Sequence, residues 1–551
     1  MGALVKSTIV DLNEVHRQIQ ARKAQWVQDR LRKALIRIWD GDMRLFGEVV
    51  GELAHGFTFV ENDTGTAYLK LSLSHYIAKW IINHRGREKK NVIVTFDKQG
   101  ARWSGAMDNY KVVKEKDGRT YLEVSFLHDY EHLKHLIIFS NPWLPPELQF
   151  PKIWAVFGPA RWSLCITLLF AVMRKEGSWW SLPDDPLDPS KWFNLDQTTW
   201  SMVVKPFSIL NDRSVFALVF SRFKPFHDVA KQILQDGQLH VEARRYLPGD
   251  PPPWPGAKLK PGCLVFGIED KSAWTNGTSF DGDLINGLAR MVTSIGSDGL
   301  TENRDVVANP NFPDEYYDPA FRGTMAEAPW VVFEESPYTG IESSEFIYYE
   351  ATDTKVVIGG HSAPGVNEAL GATIIAVAGF LGSLITQSQI GSAVEMILRP
   401  LYTDVVAAFQ SWQDVPRAQE LGWTHYYERW GSGSGDRAYT LAALVALRAG
   451  LWASRRRTAH SVKIADSVPY RLGDQGQGDF WLGDRVGTTV LGMPENLVYV
   501  ERVTKISYEY TSDGPSGWQI DIGHREPEDP MMAAFDQLRD ILSALQQLGV
   551  V

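Results

Sequence analysis

"NVIVTFDKQGARWSGAMDNYKVVKEKDGRTYLEVSFL", residues 91–127, decides how the chain is read. Apolar and polar residues alternate along it, and Lys116, Asp117 and Gly118 interrupt it with turn chemistry. That pattern predicts antiparallel strands joined by a hairpin. The preceding "ALIRIWDGDMRLFGEVVGEL" and "GTAYLKLSLSHYIAKWII" alternate in the same way. Together they predict a β-rich domain over 35–127, behind a charged helical segment over 1–34.

Beyond residue 127 the texture changes. "FGPARWSLCITLLFAVMRKEG" and "FHDVAKQILQDGQ" carry helical periodicity around a loop rich in proline and tryptophan, which predicts a mixed helical domain over 128–250. "LPGDPPPWPGAKLKPG", residues 247–262, reads as a stiff connector, so a boundary is expected near it. A Pro/Gly-rich acidic insertion with some strands follows over 251–365, then a helical region over 366–455 that contains a long uncharged stretch. Short strands and Gly-Asp turns predict a small β-barrel over 456–525. Met531, Phe535, Leu538, Leu542 and Leu545 line one face of a C-terminal helix over 526–551. The expected class is α+β and multidomain: antiparallel β-domains and small barrels with helical insertions.

Composition bounds what such a chain does. With 551 residues, 44% hydrophobic and 22% charged, it has the balance of a folded protein with several cores. Cys165 and Cys263 are too few for a disulfide framework and too far apart for a clustered ligand set, and read as inert buried thiols. The first residues lack the apolar core of a secretory signal, so assembly in a reducing cytoplasm is expected. Net charge is −10, and it is concentrated: between Thr301 and Lys355 twelve acids face only Arg304, Arg322 and Lys355. Arg17 to Arg37 is the opposite, with seven basic residues and one acid, Asp29. Without a binding motif or an overall positive field, this basic segment reads as an exposed face or a dock for an acidic neighbour, not as a nucleic-acid site.

Four local patterns raise questions of chemistry. In "HDYEHLKH", residues 128–135, His128, Glu131 and His132 spell H-x-x-E-H, the inverted zinc-protease motif. A zinc site needs a further ligand that the many glutamates do not single out, and the same residues suit a polar helix start in which both histidines meet carboxylates. Gly360-His361-Ser362-Ala363 resembles a nucleophile elbow, but Pro364 suits the first residue of a helix, and no doubly wound sheet surrounds it. Asp479, Asp484 and Arg485 in "GDFWLGDRVG" read as structural ion pairs at strand ends. Finally, residues 369–394 carry no charge and reach the length needed to cross a bilayer, although "TQSQ" interrupts them. Ile374, Ile375, Val377, Phe380, Leu381, Leu384 and Ile385 are its candidates for packing on an oligomer axis or touching membrane. No catalytic residue, metal or cofactor is assigned.

Three long strings carry a resemblance: "HDYEHLKHLIIFSNPWLPPELQFPKIWAVFGPARW", "GWTHYYERWGSGSGDRAYTLAALVALRAGLW" and "PYRLGDQGQGDFWLGDRVGTTVLGMPENLVYVERV". They resemble the minor tail proteins of long-tailed actinobacteriophages, in the Gp-type hub family at the tail tip, from about Leu35 onward. The resemblance implies a non-enzymatic baseplate hub, a homotrimer of β-domains that adapts the tail tube to a three-fold tip and helps gate the DNA channel. It implies a virion location at the tail tip and partners among the distal tail ring, tape measure and tip fibres. Viral DNA would pass without sequence-specific binding, and host envelope contact would be transient. The alternatives are a membrane-interacting tip component in envelope penetration, and a zinc or serine hydrolase of the tail tip.

Overall fold

The computed structural model describes residues 32–271, 331–359, 409–431 and 447–523, apart from short gaps within them, and isolated positions elsewhere. Gly360 to Pro364, the uncharged stretch from Ile374 to Ile385, the terminal helix from Met531 and most of segment 1–34 lie outside the described residues.

The opening stretch forms three consecutive antiparallel strands: β5 (Val92–Lys98), β6 (Ala101–Lys114) and β7 (Thr120–His128). Gln99 and Gly100 alone join β5 to β6, with φ of 50° and 83°. Positive φ at both central residues is the type I′ geometry, which matches strand twist. Gly118, at φ 87°, closes the β6–β7 hairpin where turn chemistry predicted it. Along β7 the alternation buries Leu122, Val124 and Phe126, whereas the first half of β6 is buried on both faces, Trp103 completely. Gly105 follows from that packing: a Cβ there would stand 2.1 Å from the Leu127 carbonyl oxygen and 2.7 Å from the Trp103 ring.

Around these strands pack β1 (Leu35–Asp40), β2 (Leu45–Glu48), β3 (Ala54–Val60), β4 (Thr66–Ser72) and helix α1 (Tyr76–Ile82). Far along the chain, β22 (Arg457–Ala465), β24 (Tyr499–Thr511) and β25 (Gly514–Gly523) complete the same sheet. β24 pairs antiparallel with β3, Lys505 opposite Val60 and Tyr510 opposite His55. With β18 (Ile341–Tyr349) at the far end, the path runs β18-β22-β25-β24-β3-β4-β7-β6-β5-β1-β2. Two further strands, β17 (Val332–Phe333) and β23 (Arg485–Thr488), branch from β24. Segments read separately in the sequence, 35–127 and 456–525, therefore lie in one sheet. Its apolar faces share a core in which Phe57, Phe96 and Trp103 meet Tyr508, Trp518 and Phe480.

A second layer spans residues 137–270. Strands β8 (Ile137–Ile138) and β12 (Lys224–Pro225) pair, as do β9 (Trp154–Pro159) and β11 (Phe216–Ser221). A three-stranded sheet has β14 (Leu264–Asp270) between β10 (Met202–Val204), parallel to it, and β13 (Leu239–Arg245), antiparallel. Helices α2 (Ala160–Glu176) and α3 (Phe226–Asp236) bury Leu164, Leu168, Phe226 and Leu234 against these strands. The proline-rich connector joins β13 to β14, which pair from Leu239 opposite Asp270 to Arg245 opposite Leu264, so the structure places no break in this sheet there.

Two-residue strands β15 (Ser294–Ile295) and β16 (Glu302–Asn303) pair with each other. A small sheet has β19 (Lys355–Gly359) between β20 (Phe409–Gln413) and β21 (Arg429–Trp430), with helix α4 (Val415–Leu421) beside it. Asp414 caps that helix, its side chain accepting from the Arg417 amide at 3.0 Å. The architecture is α+β, with mostly antiparallel sheets and few helices.

Candidate functional site

The inverted zinc-protease motif sits where β7 ends. His128 is the last residue of that strand and caps the 3-10 helix Asp129–Lys134, its Nδ1 accepting from the Tyr130 amide at 3.2 Å. Its ring is buried against Phe59 and Trp103, and burial pushes its pKa down to about 4. Asp129, the next residue, accepts from Arg245 at 2.6 Å and from Ser104. Burial works to raise its pKa, but the charges of Arg245 and His132 together with these hydrogen bonds hold it below the usual carboxylate range. His132 turns toward Asp129, Nε2 to Oδ1 at 3.7 Å. Glu131 turns elsewhere, accepting from Thr64 and lying 3.4 Å from both Lys134 and His135.

His128, Glu131 and His132 thus do not converge on a point. His128 caps a helix inside an aromatic core, His132 pairs with a buried carboxylate and Glu131 joins a half-buried ion cluster. Among the described residues no group of three or more His, Cys, Asp or Glu side chains is arranged to hold a metal ion. The two thiols are buried in the second core, where burial pushes each pKa up to about 12.

What the motif does reach is a polar seam between the large sheet and the second layer. Arg102 of β6 pairs with Asp97 at 2.5 Å and with Asp250, and donates to the Arg245 carbonyl oxygen at 3.1 Å. Arg244 reaches Asp474 at 2.9 Å and the Gly100 carbonyl oxygen at 3.1 Å. Asn62, held at φ 51°, works like a strand edge: its Nδ2 donates to the Leu239 carbonyl oxygen at 2.7 Å and its Oδ1 accepts from the Val241 amide at 2.9 Å. On the sheet side of the seam, Glu61 beside β3 pairs with Arg502 of β24. Desolvated charges are retained at such a contact only when paired and hydrogen-bonded, and each of these is.

Asp479, Asp484 and Arg485 belong to the same framework, each through partners of its own. Asp479 accepts from the Arg471 amide and Asp484 from the Trp481 amide, both at 2.7 Å. Asp484 also pairs with Lys271 at 2.9 Å, and Arg485 donates to Gln238 at 2.7 Å, so two of the three tie β23 to the second layer. Sequence reading missed Asn62, Arg102, Arg245 and Asp250, whose side-chain partners across the seam lie 116 to 179 residues away. A shallow trough of about 450 Å³ on the sheet's outer face is lined by Tyr68, Asp108, Ser125 and Glu509, the Tyr68 hydroxyl donating to Glu509. Among the described residues no helix is long and apolar enough to cross a membrane.

Comparison with known proteins relates the chain to phage tail proteins. Residues 35–524 match the model of the siphovirus ReqiPepy6 Gp37-like protein family. The chain is 42% identical to minor tail protein Gp28 of Mycobacterium phage D29 and 41% identical to minor tail protein Gp28 of Mycobacterium phage L5, with 99% of this chain and of each relative covered. Among solved structures it is similar to the 43 kDa tail protein of prophage MuSo2 from Shewanella oneidensis, at 10% identity and a TM-score of 0.37, covering 90% of this chain and 99% of the other. The chain belongs to the siphovirus Gp37-like family, among the non-enzymatic structural minor tail proteins of actinobacteriophages.

Proposed function

We propose that this chain is the hub subunit of the tail tip, a homotrimer that adapts the tail tube to a three-fold tip and helps close the DNA channel until the host is engaged. The observation that carries the reading is the relationship to minor tail proteins over 99% of the chain. A part of this kind acts by holding shape and by presenting edges to its neighbours. The sheet path ends at two strands, β18 and β2, each paired on one side only among the described residues. β18 carries Glu342 and Glu345 on exposed positions, the kind of charge that discourages strand addition. β2 exposes Leu45 and Phe46, with Val50 and Leu53 exposed nearby, and is the edge suited to a second copy.

In this reading the distal tail ring, tape measure and tip fibres are the neighbours, viral DNA passes without sequence-specific contact, and the virion tail tip is the location. An epitope inserted at Asp117, on an open hairpin, tests the placement by immunogold electron microscopy of assembled tails. Label confined to the tip is expected. Label along the tube or at the head–tail junction would contradict it.

A further inference from the structure

The most solvent-exposed aromatic surface in the described residues is not on either core. Gly422 to Trp430, "GWTHYYERW", follows α4 as a short strap across the small sheet. Trp423 is 93% exposed, and Tyr426, Tyr427 and Trp430 are each more than half exposed. Exposure of this kind ordinarily comes with a loose loop, but here the backbone is pinned. The Thr354 amide donates to the Tyr426 carbonyl oxygen at 3.3 Å and the Thr354 hydroxyl to that of Tyr427 at 3.2 Å. β21 pairs parallel with β19, Val357 opposite Trp430, and the Gly431 amide donates to the Val357 carbonyl oxygen at 2.9 Å. Lys355 lies 5.2 Å from the centre of the Tyr427 ring and 3.3 Å from Glu428. The sheet therefore holds four large rings outward on a fixed support.

Fixed, exposed tryptophan and tyrosine suit one surroundings in particular. Their apolar bodies and polar N–H and O–H groups match the boundary between lipid tails and headgroups. Two features of this region favour a bilayer over other occupants. Besides His425, the strap carries one acid and one permanent cation, Glu428 and Arg429, so no cationic field marks it for a polyanion. The same small sheet is also the root of the longest uncharged run: the chain leaves β19 after Gly359 and returns in β20 at Phe409, which pairs with Gly359, and residues 369–394 fall between. Exposed Val415 adds apolar surface next to the strap, since the Asp414 amide donates to the carbonyl oxygen of the same Thr354.

We propose that the Gly422–Trp430 strap is an interfacial anchor for a phospholipid membrane, seating Trp423, Tyr426, Tyr427 and Trp430 at headgroup depth. The inference rests on the tip placement proposed above, which brings the strap to the host envelope. The test is flotation of the full chain with zwitterionic phosphatidylcholine vesicles at low and high salt. Wild-type protein binds with little salt dependence, and the W423A/W430A variant binds about tenfold more weakly or worse. A variant with Leu148→Ser and Phe150→Ser, which removes apolar surface elsewhere, binds like wild type.

Trp423→Phe, which keeps the ring and the fold, lowers the fraction of tryptophan fluorescence quenched by vesicles of brominated lipid. Unchanged binding in W423A/W430A, absence of wild-type binding, or tryptophan-dependent binding to soluble host cell-wall polysaccharide instead of vesicles would each overturn the anchor. Immunogold labelling of the same variants separates the two readings. Label at the tip with vesicle binding lost upholds both, and label absent from the tip with wild-type vesicle binding intact removes the placement while sustaining the anchor.

Discussion

The large sheet and the second layer are each held together by an extended apolar core, but where they meet, a seam of paired charges and amides surrounds only a small apolar cluster of Trp39, Ile93 and Leu247. Inside the sheet, strands some 450 residues apart in the chain meet over Phe57, Phe96, Trp103, Tyr508 and Trp518. At the seam the contacts are Arg102 to Asp250, Arg245 to Asp129, and Asn62 to the edge of β13. Apolar packing is non-directional and tolerates small shifts, whereas paired charges and backbone-mimicking amides fix register and angle. For a structural part of a tail, the cores supply stability and the seam sets geometry.

Substitutions can break this contrast. The largest effect expected is from Trp103→Ala, which empties a fully buried site and costs about 3–5 kcal/mol in denaturant unfolding. A smaller loss would mean that the sheet core is not the principal source of stability. Arg245→Met comes next, at about 3 kcal/mol, because it strands the Asp129 carboxylate in a buried site. Replacing both partners, Arg245→Met with Asp129→Leu, recovers most of that stability. If the seam sets geometry, the double variant folds yet incorporates into tails poorly.

The pH profile sharpens the same point. Burial holds His55 and His128 at about 4 and His240 at about 3. The unfolded chain binds protons on these rings near pH 6.5, and the folded chain does not until near 4 or below. The stability contributed by these neutral rings is therefore complete above pH 6.5 and is lost as pH falls through the window from 6.5 to about 4, extending to about 3 for His240. A melting temperature that stays flat across that window would contradict the burial of these rings.

Two smaller effects separate seam from core. Asn62→Ala removes two hydrogen bonds to β13 and costs about 1–2 kcal/mol. His55→Phe, inside the aromatic cluster of Phe96, Tyr508 and Tyr510, changes stability by less than about 1 kcal/mol, since both ring nitrogens are buried without hydrogen bonds. Chemical unfolding of each variant at neutral pH measures both.

Strand character was legible in the sequence wherever alternation was clean. Leu122, Val124 and Phe126 showed their inward face, and Lys116 to Gly118 marked the hairpin. The partnership of β24 with β3 was not legible, because periodicity reports which face of a strand is buried and says nothing about which distant strand lies beside it. The seam was hidden for a related reason: Arg102 and Asp250 are ordinary surface residues until folding brings them together. His128 and His132 were visible as a pattern, but H-x-x-E-H implies a metal site only on an α-helix that aligns both rings. The 3-10 turn after β7 directs them apart. The strap at Trp423 was visible only as a string of aromatics, and its exposure required the fold.

The central claim, that this chain is a self-assembling structural hub, is tested most directly by its mass in solution. Multi-angle light scattering of the full chain, repeated on dilution, is predicted to give three times 62.0 kDa. A variant with Leu45→Asp and Phe46→Asp on the β2 edge should shift that mass toward the monomer. A monomer at every concentration, or a trimer indifferent to the charged edge, would contradict the account.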